Sequence, residues 1–167
     1  MRRLPAAALL VLAAAGCRSE TPSSSPDAPA TAEAPAAPAM PVDRIEIVGD
    51  DQMRFSETAF TVKAGTSVTV TLRNAGQLPK ETFGHNLVLL RASADADAYA
   101  TAAMGAREAG FIPADRAADV VAHTRLLGPG ETDTLTFTAP TEPGTSPYLC
   151  TFPGHGSSMR GTMTVVG

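Results

Sequence analysis

From residue 42 onward the chain runs in short segments whose apolar side chains recur at every second position. In Ser67–Leu72, Val68, Val70 and Leu72 share one side while Ser67, Thr69 and Thr71 share the other. Thr134–Thr138 and Thr162–Val166 repeat the rhythm, and Ile45, Ile47 and Phe55 mark one early strand region. Period-two alternation rich in Val, Thr and Phe predicts half-buried strands, and the turns Ala64-Gly65 and Gly128-Pro129-Gly130 separate them. Asn86–Leu90 is almost continuously apolar, the pattern of a strand covered on both faces. One segment departs from the rhythm. Ser93–Ala109 is rich in alanine and predicts an inserted helix, with Ser93 as its cap, Asp95 and Asp97 at its positive end, and Gly110 closing it. The expectation is an all-β, antiparallel sandwich or barrel of seven to eight strands with one short helix.

The first forty residues follow other rules. Met1-Arg2-Arg3 is a basic start, and Leu4–Ala15 is an apolar run shorter than the ~20 residues a spanning helix needs. This is the layout of an export signal. Ala14-Ala15-Gly16-Cys17 resembles a bacterial lipobox, with Cys17 as the acylated residue, although Ala14 stands where a bulkier apolar residue is usual. Ordinary cleavage after the small residues is the other outcome. Residues 18–41 are almost all Pro, Ala, Ser, Thr, Asp and Glu. Such a stretch has too little apolar surface to offset the entropy of ordering it, and it reads as a solvated tether. A tether fits a lipid anchor. The expected organisation is thus signal 1–17, linker 18–41 and one folded domain 42–167.

Charge and cysteine content narrow the chemistry. The formal net charge of -4 argues against nucleic-acid binding. Only two cysteines are present. Because Cys17 belongs to the leader, Cys150 is left as a lone thiol in an exported domain, which asks for a special explanation. Its neighbourhood supplies one: Cys150-x₄-His155-x₃-Met159, with Gly84-His85-Asn86 far upstream. Two imidazoles, a thiolate and a thioether are the donors of a blue-copper electron-transfer centre, trigonal His₂Cys with a weak axial Met. Spacing lets one loop offer three of the four, between the end of one strand at Cys150 and the start of the next at Met159. Taken singly, Cys150 or Met159 would be a core residue and either histidine a surface one. Their conjunction on a β-patterned chain singles them out. His123 has no such companions and reads as a surface histidine. Zinc could use the same donors but would support no redox chemistry.

These residues carry a resemblance to the azurins, bacterial members of the cupredoxins. It is carried by Asp51-Gln52-Met53, Gln77–Lys80, Gly84-His85-Asn86, Ala122-His123-Thr124, the Cys150–Met159 loop and Arg160-Gly161-Thr162, and it spans residues 42–167. The resemblance implies a cupredoxin-like Greek-key sandwich with one type 1 copper. It implies His85, Cys150 and His155 in the copper plane, Met159 axial, and the Gly84 carbonyl as a distant opposite contact. Asn86 and Phe152 would turn backbone N–H groups toward the Cys150 sulfur, whereas Pro153 has none to offer. His155 would show its ring edge at the surface as the electron port, inside a docking face of Met53, Leu78, Phe83, Met104, Phe152 and Pro153. The chain also departs from its relatives. The usual disulfide positions fall near Asp43 and Thr66, Asn74 stands where many azurins have a buried histidine, and Leu87 replaces a core indole.

The implied function is a redox carrier of the bacterial periplasm or cell envelope. It would exchange single electrons with a c-type cytochrome or a membrane redox complex, and would touch the membrane only through Cys17. Copper storage or delivery is the alternative, but it favours exposed Met- or His-rich ligands, and the linker holds only Met40. Catalysis of the multicopper kind needs further copper sites, and only His123 is left over.

Overall fold

The computed structural model describes residues 40–167. The signal, Cys17 and nearly all of the linker lie outside the described residues. Eight strands form two sheets among these residues. The smaller sheet holds β1 (Arg44–Gly49), β3 (Ser67–Asn74) and β6 (Thr132–Thr138) in the order β1-β3-β6. The larger one runs β2-β8-β7-β4-β5, built from β2 (Ala59–Lys63), β4 (Val88–Leu90), β5 (Val120–His123), β7 (Gly144–Leu149) and β8 (Arg160–Val166).

The alternation read from the sequence becomes two faces of a sandwich. Across β3 and β6, Thr69 meets Thr136 and Thr71 meets Thr134 through hydroxyl pairs at 3.3 and 3.1 Å on the outer face. Val68, Val70, Leu72, Leu135 and Phe137 point inward, to join Ile47, Val62, Leu89 and Met163 in the core. Tyr148 is wholly buried there, and its hydroxyl donates to the Glu57 carbonyl at 2.6 Å, so its polar end is satisfied.

Pairing is mixed rather than antiparallel throughout. β1 runs parallel to β3, and β2 parallel to β8. The cause is the path of the chain: β1 lies in one sheet, β2 crosses to the other, and β3 returns beside β1. Phe55 does not extend β1 but forms an isolated bridge back to Gly49.

The apolar run at 86–90 is covered on both sides. Leu89 faces the sandwich core, whereas Val88 and Leu90 join Tyr99 and Leu149 in a second cluster beneath α2 (Ala96–Ala103). This helix is shorter than the alanine-rich segment suggested. Asp95, not Ser93, caps it, and its carboxylate accepts the N–H groups of Asp97 and Ala98 at 2.9 and 3.0 Å. Asp is among the best N-cap residues, and Met104-Gly105 ends the helix with a residue that helices tolerate poorly. Gly110 does close a helix, though a separate 3₁₀ turn at Arg107–Ala109, through a left-handed φ of 64°. A four-residue helix, α1 (Lys80–Phe83), follows Pro79 and delivers the chain to Gly84-His85-Asn86.

Near the linker, Asp43 and Thr66 line one surface depression. They are tied locally by Thr69 N–H to the Asp43 carbonyl at 2.8 Å and by the Thr66 hydroxyl to the Lys63 carbonyl at 2.7 Å. Asn74 is buried; its amide donates to the Leu127 carbonyl at 3.2 Å and accepts the Gly76 N–H at 2.8 Å. Leu87 lies in the main core.

Candidate metal centre

The loop joining β7 to β8 begins at Cys150, directly after Leu149, and ends at Met159, directly before Arg160. Cys150 N–H donates to the Met159 carbonyl at 2.9 Å, which closes the loop at its base. Inside it, His155 N–H reaches the Phe152 carbonyl at 3.0 Å, and the N–H groups of Ser158 and Met159 reach the His155 carbonyl at 3.1 and 2.8 Å. Gly154 supplies the left-handed corner, φ 85°. The loop is therefore a compact turn rather than a slack strap.

His85 arrives from the opposite wall. It exchanges two backbone hydrogen bonds with Leu127, at 3.0 and 2.7 Å, just before the chain enters β4. Donor atoms of His85, Cys150 and His155 lie within 4.8 Å of one another, and Cys150 Sγ is 3.7 Å from His155 Nδ1. Met159 joins them through a glycine. A Cβ placed on Gly49 would lie 2.7 Å from Met159 Cε and 3.3 Å from His85 Cδ2, so these two side chains converge over the same bare patch of β1. All four side chains are buried.

The donors behave as a metal site's would. Neither ring nitrogen of His85 has a hydrogen-bond partner, an uncommon state for a buried polar group. Burial lowers the His85 pKa; the nearby Asp50 main chain, outside full hydrogen-bonding geometry, and the Asp51 and Asp50 carboxylates oppose that lowering. His155 is brought down to about 4, first by burial and then by His85 beside it. Both shifts favour the neutral imidazole, the form that ligates a metal. Burial pushes the Cys150 thiol up to about 11, against the backbone N–H groups of Asn86 and Phe152. A thiol so placed gives up its proton only to a cation that takes the proton's place. The orphaned His85 imidazole, the buried His155 ring, the buried Cys150 thiol and the Met159 thioether fit a copper ion of the type 1 kind.

Two groups that the sequence left unremarked help to build the site. Thr151 locks the two walls together: its N–H donates to Asn86 Oδ1 at 2.8 Å, and its hydroxyl donates to the Phe111 carbonyl at 2.8 Å. Asn86 Nδ2 in turn donates to Thr151 Oγ1 at 2.8 Å and to the Gly110 carbonyl at 3.1 Å. A polar pair immediately following Cys150 and His85 was the available sequence signal. Gly49 carried none, because only the approach of Met159 and His85 gives it meaning.

The exposed face differs from expectation at its centre. His155 keeps only 2 % of its surface, because Phe83 and Phe152 lie over it at ring-centre distances of 4.5 and 4.8 Å. Phe83 also meets His85 edge-on at 5.7 Å. Phe152 is itself buried, against Phe111. Leu78 and Met104 are exposed, and Met53, Phe83 and Pro153 are half-buried. Met104 borders a groove of about 210 Å³ between α2 and the loop, shared with Phe152 and Gly154. His123 is exposed, as its isolation in the sequence implied.

The profile of copper-binding proteins of the plastocyanin/azurin family matches residues 44–166. Azurin of Pseudomonas denitrificans is 41 % identical over 124 residues, covering 72 % of this chain and 96 % of that protein. Outer membrane protein H.8 of Neisseria gonorrhoeae is 39 % identical over 122 residues, covering 72 % of this chain and 66 % of that one. Among solved structures, dithionite-reduced auracyanin from the photosynthetic bacterium Roseiflexus castenholzii superposes with a TM-score of 0.67. It shares 37 % identity and covers 76 % of this chain and 99 % of its own.

Proposed function

The chain belongs to the plastocyanin/azurin family of copper-binding proteins, and from that premise we propose how its residues serve a carrier that has no substrate of its own. It is a blue-copper electron-transfer protein with one type 1 copper. In our assignment His85, Cys150, His155 and Met159 would hold the copper, and the Gly84 carbonyl would be a further, distant contact. The convergence of three buried donors within 4.8 Å carries this reading.

When bound, copper supplies a one-electron couple that soft sulfur and imidazole donors accommodate in both oxidation states. The chain's own part is to keep those donors still. Backbone bonds at Cys150, His85 and His155 hold them on two walls, and the Thr151–Asn86 pair joins the walls. The Asn86 and Phe152 N–H groups would draw electron density from the Cys150 sulfur, while Pro153 has none to offer, and so would tune the potential of a bound copper. Phe83 and Phe152 exclude water from His155.

Electrons would pass to transient protein partners, such as a c-type cytochrome or a membrane redox complex, across the face carrying Met53, Leu78, Phe83 and Met104. A small, partly apolar face suits fast release. Location in the cell envelope is supported by the export-like leader and by the name of the Neisseria relative, an outer membrane protein. No helix among the described residues is long and apolar enough to cross a membrane. Attachment through acylated Cys17, with residues 18–41 as tether, completes the proposal. Mass spectrometry of the N-terminal peptide from a membrane fraction tests it. Nothing in the site or its relatives favours storage or delivery. The deciding experiment is the visible and electron-spin-resonance spectrum of the copper-loaded protein. An intense thiolate-to-copper band with small hyperfine splitting is expected, and a weak, tetragonal spectrum would refute the carrier.

A further inference from the structure

We propose that Arg160 is a positioning residue for the loop carrying His155 and Met159, acting as a latch between that loop and α2. Arg160 directly follows Met159 and opens β8. Its Nε donates to the Gly156 carbonyl at 2.6 Å, Nη2 donates to the same oxygen, and Nη2 also reaches Asp97 Oδ1 at 2.8 Å. Gly156 directly follows His155, and Asp97 sits in the first turn of α2. One planar guanidinium thus joins the strand after Met159, the carbonyl after His155 and the helix.

The loop and helix are also pressed together at that point. A Cβ on Gly156 would lie 3.1 Å from Ala100 Cβ and 3.3 Å from the Cys150 carbonyl, so glycine permits the close approach. Gly156 has no side chain of its own to add to that packing. Between Phe152 and Met159 the backbone is secured by three turn hydrogen bonds and interrupted by two glycines. Arg160 adds a restraint from outside the loop, at the Gly156 carbonyl.

The chemistry favours arginine specifically. A guanidinium presents several donors in a fixed fork, whereas a lysine ammonium is a flexible point charge. The two arms differ in worth. The carboxylate of Asp97 is 81 % exposed, and water and salt weaken that contact. The bond to Gly156 is part-buried, neutral on one side only, and stronger. The latch's consequence for electron transfer rests on the ligand assignment above; the latch itself is visible without metal.

Amide hydrogen exchange on the full chain, copper-free, tests it. The reporters are the N–H groups of Ser158 and Met159, which donate to the His155 carbonyl. Arg160→Ala should speed their exchange about tenfold, by removing a charge-assisted hydrogen bond that opposes local opening. Amides of Val70 and Leu72 in β3 should not change. Arg160→Lys should restore the protection only in part, and Asp97→Asn should leave exchange within about twofold of wild type, since its exposed arm contributes little. After copper loading, Arg160→Ala should also shift the copper hyperfine splitting. Wild-type exchange rates in Arg160→Ala would overturn the proposal, and so would full rescue by lysine. A copper-loaded wild type without colour, beside tenfold faster exchange in Arg160→Ala, would sink the copper reading and leave the latch standing.

Discussion

Gly49 offers the most direct test of the site's geometry, because it lies in no ligand motif. In Gly49→Ala the new methyl carbon would fall 2.7 Å from Met159 Cε. Carbon atoms in contact settle at about 3.5–4.0 Å, so one of the pair must retreat by about 0.8 Å. The His85 ring, already 3.3 Å from the new carbon, gives no room on that side. Gly49 has no positive φ, so alanine brings no backbone strain. Overpacking a core typically costs about 1–3 kcal/mol. The low end applies here, because the clashing atom is the tip of a flexible thioether chain. The copper-free variant should therefore lose about 1 kcal/mol, which for a domain of this size lowers Tm by about 3–6 °C. The larger effect should fall on the metal. A displaced thioether would change how Met159 meets the copper, so voltammetry of the loaded variant should show a shift. A double-mutant cycle with Met159→Ala isolates the contact. Urea unfolding of the four copper-free proteins should yield a coupling energy of about 1 kcal/mol, since a shortened side chain removes the clash. Equal cost of Gly49→Ala in both backgrounds would show that the glycine serves something other than Met159.

Other outcomes follow from the same structure. Cys150→Ser should abolish the colour of the copper-loaded protein, whereas His123→Ala should leave the absorption spectrum as it was; retained colour in the first variant contradicts the ligand assignment. Phe83→Ala should uncover His155, at a cost of roughly 2 kcal/mol for losing a half-buried ring. Added azide or imidazole should then perturb a spectrum that they leave unchanged in wild type, and indifference of both proteins would mean that Phe83 is no shield. Glu131 is held down to about 2 by the Gly128 N–H, Arg125 and Lys80. A depressed carboxylate stabilises the fold above its ordinary pKa of 4.5 and loses that contribution as pH falls toward 2. The urea midpoint of wild type should accordingly exceed that of Glu131→Gln at neutral pH, and the gap should close between pH 4.5 and 2. A gap independent of pH would assign the stabilisation to shape rather than charge.

Much of this protein is legible without coordinates. Alternation in 67–72, 134–138 and 162–166 foretold three strands, because a half-buried strand must sort its side chains by face. The apolar run before Arg91 foretold double coverage, which the core and α2 provide. Spacing alone assembled Cys150, His155 and Met159, since three donors on one short loop cannot lie far apart. Less visible were β2, β5 and β7: β7 contains Gly144 and Pro147, which mask its strand character, and β5 is only four residues long. The parallel pairing of β1 with β3 and of β2 with β8 also stayed hidden, because period two records which face a residue takes and not which way its neighbour runs.

What depended on the chain alone was composition and local chemistry: which residues can face a core, and which donors exist to hold copper. What only the folded molecule decided was proximity across long separations in sequence. His85 meets Cys150 over sixty-five residues, Gly49 makes room for Met159, and Phe83 covers a histidine that was expected to lie open. Local patterns are set by the repeat of one element, whereas contacts between elements are settled by how whole sheets and loops pack, and packing leaves no periodic trace in the order of residues.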